Sequence, residues 1–510
     1  MVVDIYTTFK NRVESHENRE FVRTADESYT YREIDDLAET FAGGFVEAGL
    51  SEGDHLGVLL DNSPEFVGAL LGAARQGITV AYLNTSLRGE SLEHLLTSAD
   101  ISALLSTDES LLNVGNTCEN ADIGMVYSLS ADSDWAKIPD VAAPEPAAVD
   151  ARSTAALLHT SGTTGLPKWC ELSHAYFVRL GDRVADHFEI TGIDTVFNPL
   201  PLYHVNPLGY YLFGSLSAGA TLAMVPAFTV SGFWEQVRRL KATILILHMA
   251  PKDMLLNRTV AEDAKGHDVR VMFPADEEFM KRFDIPKVVT GYGSTEAGGL
   301  THFNKFTHPP ELPPGESLSQ YVGYSRRDVE VRLVDNQKRR VPRGERGEIL
   351  VRPDEPGTIF DGYYGAPEST REAWDGLWYN TGDIGYIDEE GALHFVRRKT
   401  NSITHKGEFV NVDLIESLLE EHPVVNAAFV VGEPDDVVGE RVKACVLTDD
   451  DVAPASLLER VEENVPPYML PEFVDCIDDV PRIEGTEKVD REALRQRDCG
   501  RAWRRPNATE

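Results

Sequence analysis

One short run of residues has the composition of a phosphate-binding loop. The run HTSGTTGLPK occupies residues 159–168 and directly follows the apolar segment AALL. Its two glycines let backbone N–H groups approach an anion, its four hydroxyls can donate hydrogen bonds, and its lysine adds a positive charge. The spacing differs from that of a Walker A loop. We predict a phosphate site here, because an ordinary polar turn is rarely so dense in Ser, Thr and Gly.

The segments around this loop alternate between helical and strand-like patterns. YREIDDLAETFAGGFVEAG (31–49) and PEFVGALLGAARQG (64–77) have the apolar spacing of helices, whereas HLGVLLD (55–61) and ITVAYLN (78–84) are short apolar runs. Strands that are apolar on both faces and alternate with helices indicate a parallel sheet covered by helices.

The texture changes toward the C-terminus, which predicts two domains. From about residue 320, short strands separated by turn signals predict a β-rich subdomain. After a polar run near residue 400, a shorter unit alternates helix and strand again. We therefore predict an α/β fold with a large N-terminal body at 1–397, built from helix-covered sheets and the β-rich subdomain. A small α+β C-terminal domain at 398–510 completes it.

The charge balance excludes one class of partner. The 510 residues include 84 Asp and Glu against 48 Lys and Arg, a formal net charge of −36. Such a surface repels a phosphate backbone, so we expect no nucleic-acid binding. Only 14 of the basic residues are Lys. That composition suits either a protein that works at high salt or an ordinary acidic protein kept soluble by its charge.

The chain carries no pattern typical of export or of a membrane span. Its first twenty residues are charged throughout, and the most apolar stretch, Phe66 to Leu83, is interrupted by Arg75 and Gln76. The five cysteines are scattered and form no CxxC pair, as expected in a reducing compartment. We predict a soluble, cytoplasmic protein.

Four further segments follow the loop in a recognisable order. They are GYGSTE (291–296), YNTGDIGYIDEEG (379–391), THKGEFV (404–410) and PRIEGTEKVDREALR (481–495). Together with the 159–168 run they resemble the adenylate-forming superfamily of acyl-CoA synthetases, firefly luciferases and peptide-synthetase adenylation domains. The resemblance covers nearly the whole chain and implies that the small domain is mobile. Trp169 stands where the family usually has Gly.

The resemblance implies roles for individual residues. Lys488, Glu296 and Thr163 would be catalytic, and Glu296 would also hold Mg²⁺, which favours hard oxygen ligands. Asp383 would accept hydrogen bonds from the ribose hydroxyls, and Arg398 would contact the ribose. The residues that bind the nucleotide or the second co-substrate would be Thr160, Ser161, Gly162, Thr164, Gly165, Lys168, Gly291, Tyr292, Gly293, Ser294, Thr295, Asp383, Arg398, Lys406 and Gly407.

Three residues are candidates for the wall of an acyl site. His204 lies in PLPLYHVNP, where the family often has an aromatic residue or His beside the acyl tunnel. His248 follows a predicted strand, where open α/β sheets present ligand contacts. Trp234 could shape the same site, although an aromatic residue on a helix face is more often part of the core.

These features predict an ATP-dependent ligase. The resemblance implies that it forms an acyl-adenylate from a carboxylic acid and ATP with Mg²⁺, and then an acyl-CoA thioester. The stretch LAMVPAFTVSGFWEQVRRLKATIL (222–245) most resembles acyl-CoA ligases near the carnitine/crotonobetaine branch.

Two alternatives remain open. One is a stand-alone adenylation enzyme that loads a carrier protein. The other is a non-catalytic nucleotide- or acyl-binding relative, suggested by Trp169, by Pro274, Ala275 and Asp276, and by Glu487 where the family usually has Gly. Assembly into a homo-oligomer is also left open.

Overall fold

The computed structural model describes residues 3–505 apart from several segments. The segments outside the description are 115–116, 118–122, 131–132, 134, 161–166, 309–317, 319, 336, 399–402, 407, 436, 449–451, 482–488, 490 and 498–502. The elements and contacts of the molecule given below belong to the remaining residues.

The largest sheet is parallel in one half and antiparallel in the other. Its described strands, in spatial order, are Val329–Val334, Gly347–Pro353, Trp378–Ile387, Leu393–Arg398, Tyr321–Ser325, Gly299–Phe306, Val288–Ser294, Val271–Phe273, Ile244–Ile246, Thr195–Asn198, Thr221–Met224, Glu20–Arg23 and Ser28–Thr30, with Trp374–Asp375 pairing beside Trp378–Ile387. The strands from Val288–Ser294 to Glu20–Arg23 pair in parallel, and those from Val288–Ser294 to Val329–Val334 pair antiparallel. The antiparallel half contains the predicted β-rich region.

A second sheet contains the strands on either side of the proposed phosphate loop. Its described strands are Gly362–Tyr363, Lys168–Ser173, Thr154–Thr160, Thr79–Tyr82, His55–Leu59, Ile101–Ser106 and Met125–Ser128. Four of its pairings are parallel, and the two that involve Lys168–Ser173 are antiparallel. The predicted parallel sheet is therefore present, with an antiparallel hairpin at one edge.

Helices cover these sheets, and their ends follow from local sequence. Thr30 and Glu33 form a capping box at the start of helix Tyr31–Glu47. Ser63 caps helix Pro64–Gln76, which ends at Gly77 with a φ of 69°. The other helices of the body are Ile5–His16, Gly89–Ser98, Asp108–Val114, His174–His187, Pro207–Phe213 (a π-helix), Gly214–Ala218, Phe233–Arg239, Met249–Arg258, Ala261–Ala264, Glu277–Arg282 and Pro367–Ala373.

The C-terminal part has its own sheet and its own core. The sheet consists of Glu408–Val410, Ile403–His405, Gly439–Thr448, Phe473–Ile477 and Trp503–Arg504, with Val425–Asp435 paired to Gly439–Thr448. Helices Val412–Glu420, Pro454–Asn464 and Arg491–Gln496 and the 3₁₀ turn Pro467–Met469 accompany it. Apolar side chains such as Ile415, Val442 and Val461 form a cluster separate from the body's core.

The architecture confirms the predicted fold class of a large α/β body with a smaller α+β C-terminal part. The boundary at residue 397 stays a prediction. Within the described residues, no helix combines the length and the apolar character that a membrane crossing requires.

Candidate active site

The proposed phosphate loop connects the two strands of a β-hairpin. Strands Thr154–Thr160 and Lys168–Ser173 pair antiparallel, with Thr160 opposite Lys168. The hairpin therefore places the two described ends of the loop side by side. The predicted contacts within the loop lie outside the described residues: Ser161, Gly162, Thr163, Thr164 and Gly165.

Glu296 lies in a turn that directly follows strand Val288–Ser294. It is only 8% exposed. The Tyr363 hydroxyl donates a hydrogen bond to its Oε1 at 3.2 Å. The Tyr176 hydroxyl donates to the Thr295 carbonyl at 2.8 Å, which secures the turn. The carboxylate is thus held in place by both its backbone and its side chain.

Lys168 and Glu296 meet at the same tyrosine. The Lys168 ammonium lies 5.5 Å from the centre of the Tyr363 ring, in cation–π geometry. Tyr363 belongs to the short strand Gly362–Tyr363, which pairs with the Lys168 strand so that Tyr363 is opposite Cys170. Two side chains that the sequence assigned to phosphate and to Mg²⁺ are therefore brought together from different sheets.

The glycines of the 291–296 segment are required by the packing of the strands. A β-carbon on Gly293 would lie 1.9 Å from the Gly299 carbonyl oxygen, which no side chain can tolerate. The Ser294 hydroxyl accepts a hydrogen bond from the Ala297 amide at 3.2 Å. Gly291 is similarly close to Leu300, at 2.8 Å. These residues shape the turn that carries Glu296, whatever they contribute to nucleotide binding.

Asp383 and Tyr292 form a second part of the site. The Tyr292 hydroxyl donates to Asp383 Oδ2 at 2.6 Å, and Asp383 is 5% exposed. Arg398 is the backbone partner of Asp383 in the neighbouring strand. The Tyr292 ring stacks on Phe395, with ring centres 5.9 Å apart. This arrangement brings together the residues assigned to the ribose.

A cluster of histidines meets a carboxylate from the C-terminal part. His204 Nε2 lies 3.0 Å from Glu408 Oε1, and the two side chains are 25% and 27% exposed. The rings of His159 and His204 are 6.4 Å apart. Glu408 also acts electrostatically on His248. His204 and His248 therefore lie in one region of the structure, and Glu408 from strand Glu408–Val410 reaches that region.

The pKa values in this cluster are shifted in opposite directions. Burial lowers the pKa of His159 to about 3, with His204 adding to the effect, and burial lowers that of His248 to about 4. Burial also acts to lower the pKa of His204, but Glu408 raises it above its ordinary value. Burial opposes ionisation of Glu408, yet His204 brings its pKa below the ordinary value. The cluster thus favours one charged pair beside two neutral imidazoles.

Of the remaining residues assigned from the C-terminal motifs, Lys406 lies among the described residues. Burial lowers the pKa of Lys406, and the charges that act on it come from Glu472, Arg505 and Arg441 of the same C-terminal part. Gly407 and Lys488 lie outside the described residues.

Trp234 does not join the acyl-site candidates. Its side chain is 2% exposed and packs against Phe279 and Phe283, while its Nε1 donates to Thr259 Oγ1 at 3.4 Å. Its hydrophobic cluster is separate from the one that contains Tyr203 and Tyr292. This packing explains Trp234 as a core residue, and its role at the acyl site stays a prediction.

The motif departure at 274–276 also has a structural explanation. Asp276 caps helix Glu277–Arg282 by accepting a hydrogen bond from the Phe279 amide at 2.8 Å. Its other oxygen pairs with Lys252 Nζ at 2.5 Å. The segment therefore starts a helix and anchors a buried lysine.

The donor set around Glu296 is suitable for Mg²⁺. One oxygen of its carboxylate accepts a hydrogen bond from the Tyr363 phenol. A carboxylate is a hard oxygen ligand of the type that Mg²⁺ prefers. In the part of the chain that the structure describes, no three or more His, Cys, Asp or Glu side chains form a metal cage. An ion at Glu296 would therefore need further ligands from phosphate oxygens and water.

Sequence reasoning missed Tyr363 and Glu408 as site residues. Tyr363 follows a glycine in an otherwise unremarked GYY run, and Glu408 lies inside the quoted loop without having been singled out. Their partners are 67 and 204 residues away along the chain. No local spacing could have linked residues so far apart.

Comparison with known proteins gives consistent matches over both parts of the chain. A family model described as AMP-binding enzyme matches residues 9–364, and one described as AMP-binding enzyme C-terminal domain matches residues 414–487. A crotonobetaine/carnitine–CoA ligase of Salmonella enteritidis PT4 is 28% identical over 477 residues, which are 89% of this chain and 90% of that protein.

Solved structures share the fold over almost their full length. An amide bond synthetase from Marinactinospora thermotolerans matches with a TM-score of 0.84 and 24% identity, covering 96% of this chain and 99% of that one. An o-succinylbenzoate CoA synthetase double mutant from Bacillus subtilis, bound with a product analogue, matches with a TM-score of 0.81 and 23% identity. That match covers 96% and 98% of the two chains.

Proposed function

Because the chain belongs to the AMP-binding enzyme family, we propose that it is an acid–CoA ligase that works through an acyl-adenylate. The protein is an AMP-forming ligase of the acyl-CoA synthetase type. The proposal rests on one observation. Lys168 and Glu296 both contact Tyr363, and they do so beside a hairpin whose loop has the composition of a phosphate-binding loop.

The first half-reaction activates the carboxylate. A carboxylate is a poor electrophile, because its resonance and negative charge oppose attack by a nucleophile. Its oxygen attacks the α-phosphorus of ATP, the bond to the bridging oxygen breaks, and pyrophosphate leaves with that electron pair. Such transfers depend on positioning and on positive charge rather than on covalent catalysis.

Different residues are proposed to contact different parts of the nucleotide in this step. Lys168 would face the phosphates, and Lys488, assigned by resemblance alone, would contribute a second positive charge. Asp383 would accept hydrogen bonds from the ribose. Mg²⁺ held by Glu296 would supply further charge to the phosphate oxygens.

The second half-reaction transfers the acyl group to a thiol. The sulfur of CoA attacks the carbonyl carbon of the adenylate, the thiol proton passes to solvent, and AMP leaves with the electron pair of the broken C–O bond. Glu408 and His204 lie where the C-terminal loop meets the body, 3.0 Å apart. We place the incoming thiol near this junction.

The relatives guide the choice of acid. Relatives at 28% identity are named as crotonobetaine/carnitine–CoA ligases, which makes trimethylammonium acids the first substrates to test. Unsubstituted short and branched acids of the same length belong in the same panel, since they separate recognition of the cationic group from recognition of the chain.

Product analysis tests the choice of thiol. The protein is incubated with ATP, Mg²⁺, the acid panel and either CoA or a phosphopantetheinylated carrier protein, and the products are identified by mass spectrometry. We expect one AMP for each acyl-CoA thioester and no loading of the carrier. Loading of the carrier without acyl-CoA would favour the stand-alone adenylation enzyme instead.

A further inference from the structure

Tyr363 lies between two side chains whose charges are opposite and whose proposed ligands differ. We propose that Tyr363 is a positioning residue that keeps Lys168 available for phosphate and Glu296 available for Mg²⁺. The inference rests on the proposed function for the roles of those two residues. It goes beyond that function by assigning a role to a tyrosine outside the five motifs.

The contacts of Tyr363 with the two side chains use different parts of its side chain. The ring faces the Lys168 ammonium at 5.5 Å, and the hydroxyl donates to Glu296 Oε1 at 3.2 Å. Lys168 and Glu296 form no ion pair within 4.0 Å of each other in the described structure. Opposite charges in a half-buried site attract strongly, because little water screens them. Tyr363 gives each charged side chain a separate contact. It therefore prevents a direct ion pair between Lys168 and Glu296, which would leave neither side chain available for its ligand.

The position of Tyr363 is well determined by its surroundings. Its amide donates to Thr370 Oγ1 at 2.9 Å, and its strand pairs with the strand that contains Lys168. The Phe360 ring contacts the Tyr363 ring edge to face, with centres 5.1 Å apart. The phenol is therefore held by its backbone and by packing.

A second tyrosine also acts on the Tyr363 hydroxyl. Burial and the nearby Glu296 raise the pKa of Tyr363, whereas a hydrogen bond from Tyr379 opposes that rise. Tyr379 therefore acts on the same Tyr363 hydroxyl that donates to Glu296 Oε1. Tyr379 belongs to strand Trp378–Ile387, which also carries Asp383. The two tyrosines link the proposed metal ligand to the strand of the proposed ribose ligand.

Equilibrium binding separates the two contacts without requiring turnover. Binding of α,β-methylene-ATP is measured by calorimetry over a range of Mg²⁺ concentrations, and once with EDTA and no metal. Tyr363→Phe removes only the hydroxyl. We therefore expect the Mg²⁺ concentration that gives half of the maximal gain in nucleotide affinity to rise about tenfold, with metal-free nucleotide binding unchanged. Tyr363→Leu also removes the ring, so metal-free binding should weaken about threefold in addition.

Matched variants control the experiment. Tyr364→Phe removes the neighbouring hydroxyl, which donates to Asp100 Oδ2 at 2.8 Å, and should leave both measurements unchanged. Tyr379→Phe should shift the Mg²⁺ dependence in the same direction as Tyr363→Phe but by less. This variant tests the hydroxyl contacts of Tyr363 even if Tyr363→Leu fails to fold.

Glu296→Gln distinguishes failure of the inference from failure of the proposed function. If Glu296→Gln raises the required Mg²⁺ concentration and Tyr363→Phe does not, the positioning role of Tyr363 is wrong while the metal role of Glu296 stands. If neither variant shifts the Mg²⁺ dependence, both the metal role and the positioning role are wrong.

Discussion

The contact between His204 and Glu408 is a single pair of side chains that joins the C-terminal loop to the body. The pKa of His204 is raised in the folded protein. The contribution of His204 to the stability of the fold is therefore fully present below the ordinary pKa of 6.5 and is lost as the pH rises through the folded pKa. The Glu408 pKa is lowered, so its stabilisation is present above the ordinary value of 4.5 and is lost as the pH falls through the folded pKa. The contact is therefore strongest in weakly acidic solution.

A double-mutant cycle with His204→Gln and Glu408→Gln tests this pH dependence. We expect a coupling free energy of about 1–2 kcal/mol at about pH 6 and a markedly smaller one at about pH 9. It is measured as the change in unfolding free energy from chemical denaturation. A coupling that is equal at both pH values would show that the charge on His204 does not contribute to the contact.

Some site residues could be predicted from sequence and others could not. Glu296 and Asp383 lie in compact motifs whose order along the chain is characteristic, and the structure brings each next to a tyrosine as part of one site. Trp234 could not be assigned from the sequence, because a helix-face aromatic residue has the same local pattern in a core and in a pocket. Only the packed structure distinguishes the two, through contacts such as that with Phe283.

Among the elements, helix Gly89–Ser98 connects the hairpin that carries the proposed phosphate loop to the C-terminal part. His94 Nε2 lies 3.1 Å from the Pro167 carbonyl oxygen, and the Trp169 indole donates to the Leu95 carbonyl at 3.3 Å and to Ser98 Oγ at 3.1 Å. At its other end, Gly89 touches helix Pro454–Asn464. The bulky residue at 169 is thus an anchor between the hairpin and this helix.

Replacing Trp169 by the family's usual glycine should destabilise the protein. Trp169 is 1% exposed, so Trp169→Gly leaves a large cavity and should lower the free energy of unfolding by about 3–5 kcal/mol, measured by chemical denaturation. Trp135, at 41% exposure, provides the control, since Trp135→Phe should change stability little. Equal stability of Trp169→Gly and the native protein would contradict the anchoring role.

Gly89 allows the C-terminal part to dock in the observed arrangement. Its φ is +54°, and an added β-carbon would lie 2.5 Å from the Glu463 carbonyl oxygen. Because this arrangement brings Glu408 to His204, we expect Gly89→Ala to slow acyl transfer from a supplied acyl-adenylate to CoA about tenfold or more. Pyrophosphate exchange should be nearly unchanged.

The control for Gly89→Ala is Gly376→Ala. Gly376 has a φ of +62° and nothing within 4 Å of an added β-carbon, so its variant carries similar backbone strain without a clash. Gly376→Ala should leave both half-reactions unchanged. Equal slowing of both half-reactions by Gly89→Ala would mean that the observed docking does not serve the thioester step in particular.

The elements themselves were largely predictable, because hydrophobic periodicity and caps are local. The pattern over 31–49 became helix Tyr31–Glu47, and the run 55–61 contains strand His55–Leu59. The joining of the parallel strands and the antiparallel region into one sheet was not predicted. That pairing depends on contacts between distant segments such as Gly299–Phe306 and Tyr321–Ser325, which leave no periodic signal.

At the scale of the whole molecule, charge repulsion is the dominant long-range term. A net charge of −36 on 510 residues should destabilise the compact state when little salt is present to screen it. We expect the thermal unfolding midpoint to rise steadily between low and molar KCl. A midpoint that does not respond to KCl would favour an ordinary acidic protein over one adapted to high salt.

Carboxylate-dependent exchange of labelled pyrophosphate into ATP tests the central claim most directly, because it reports adenylate formation before any thiol is involved. We expect exchange with Mg²⁺-ATP and at least one acid of the panel, no exchange without acid, and a loss of about a thousandfold in Lys488→Ala. Exchange that is absent with every acid, from folded protein that still binds ATP, would contradict adenylate formation and favour a non-catalytic nucleotide-binding relative.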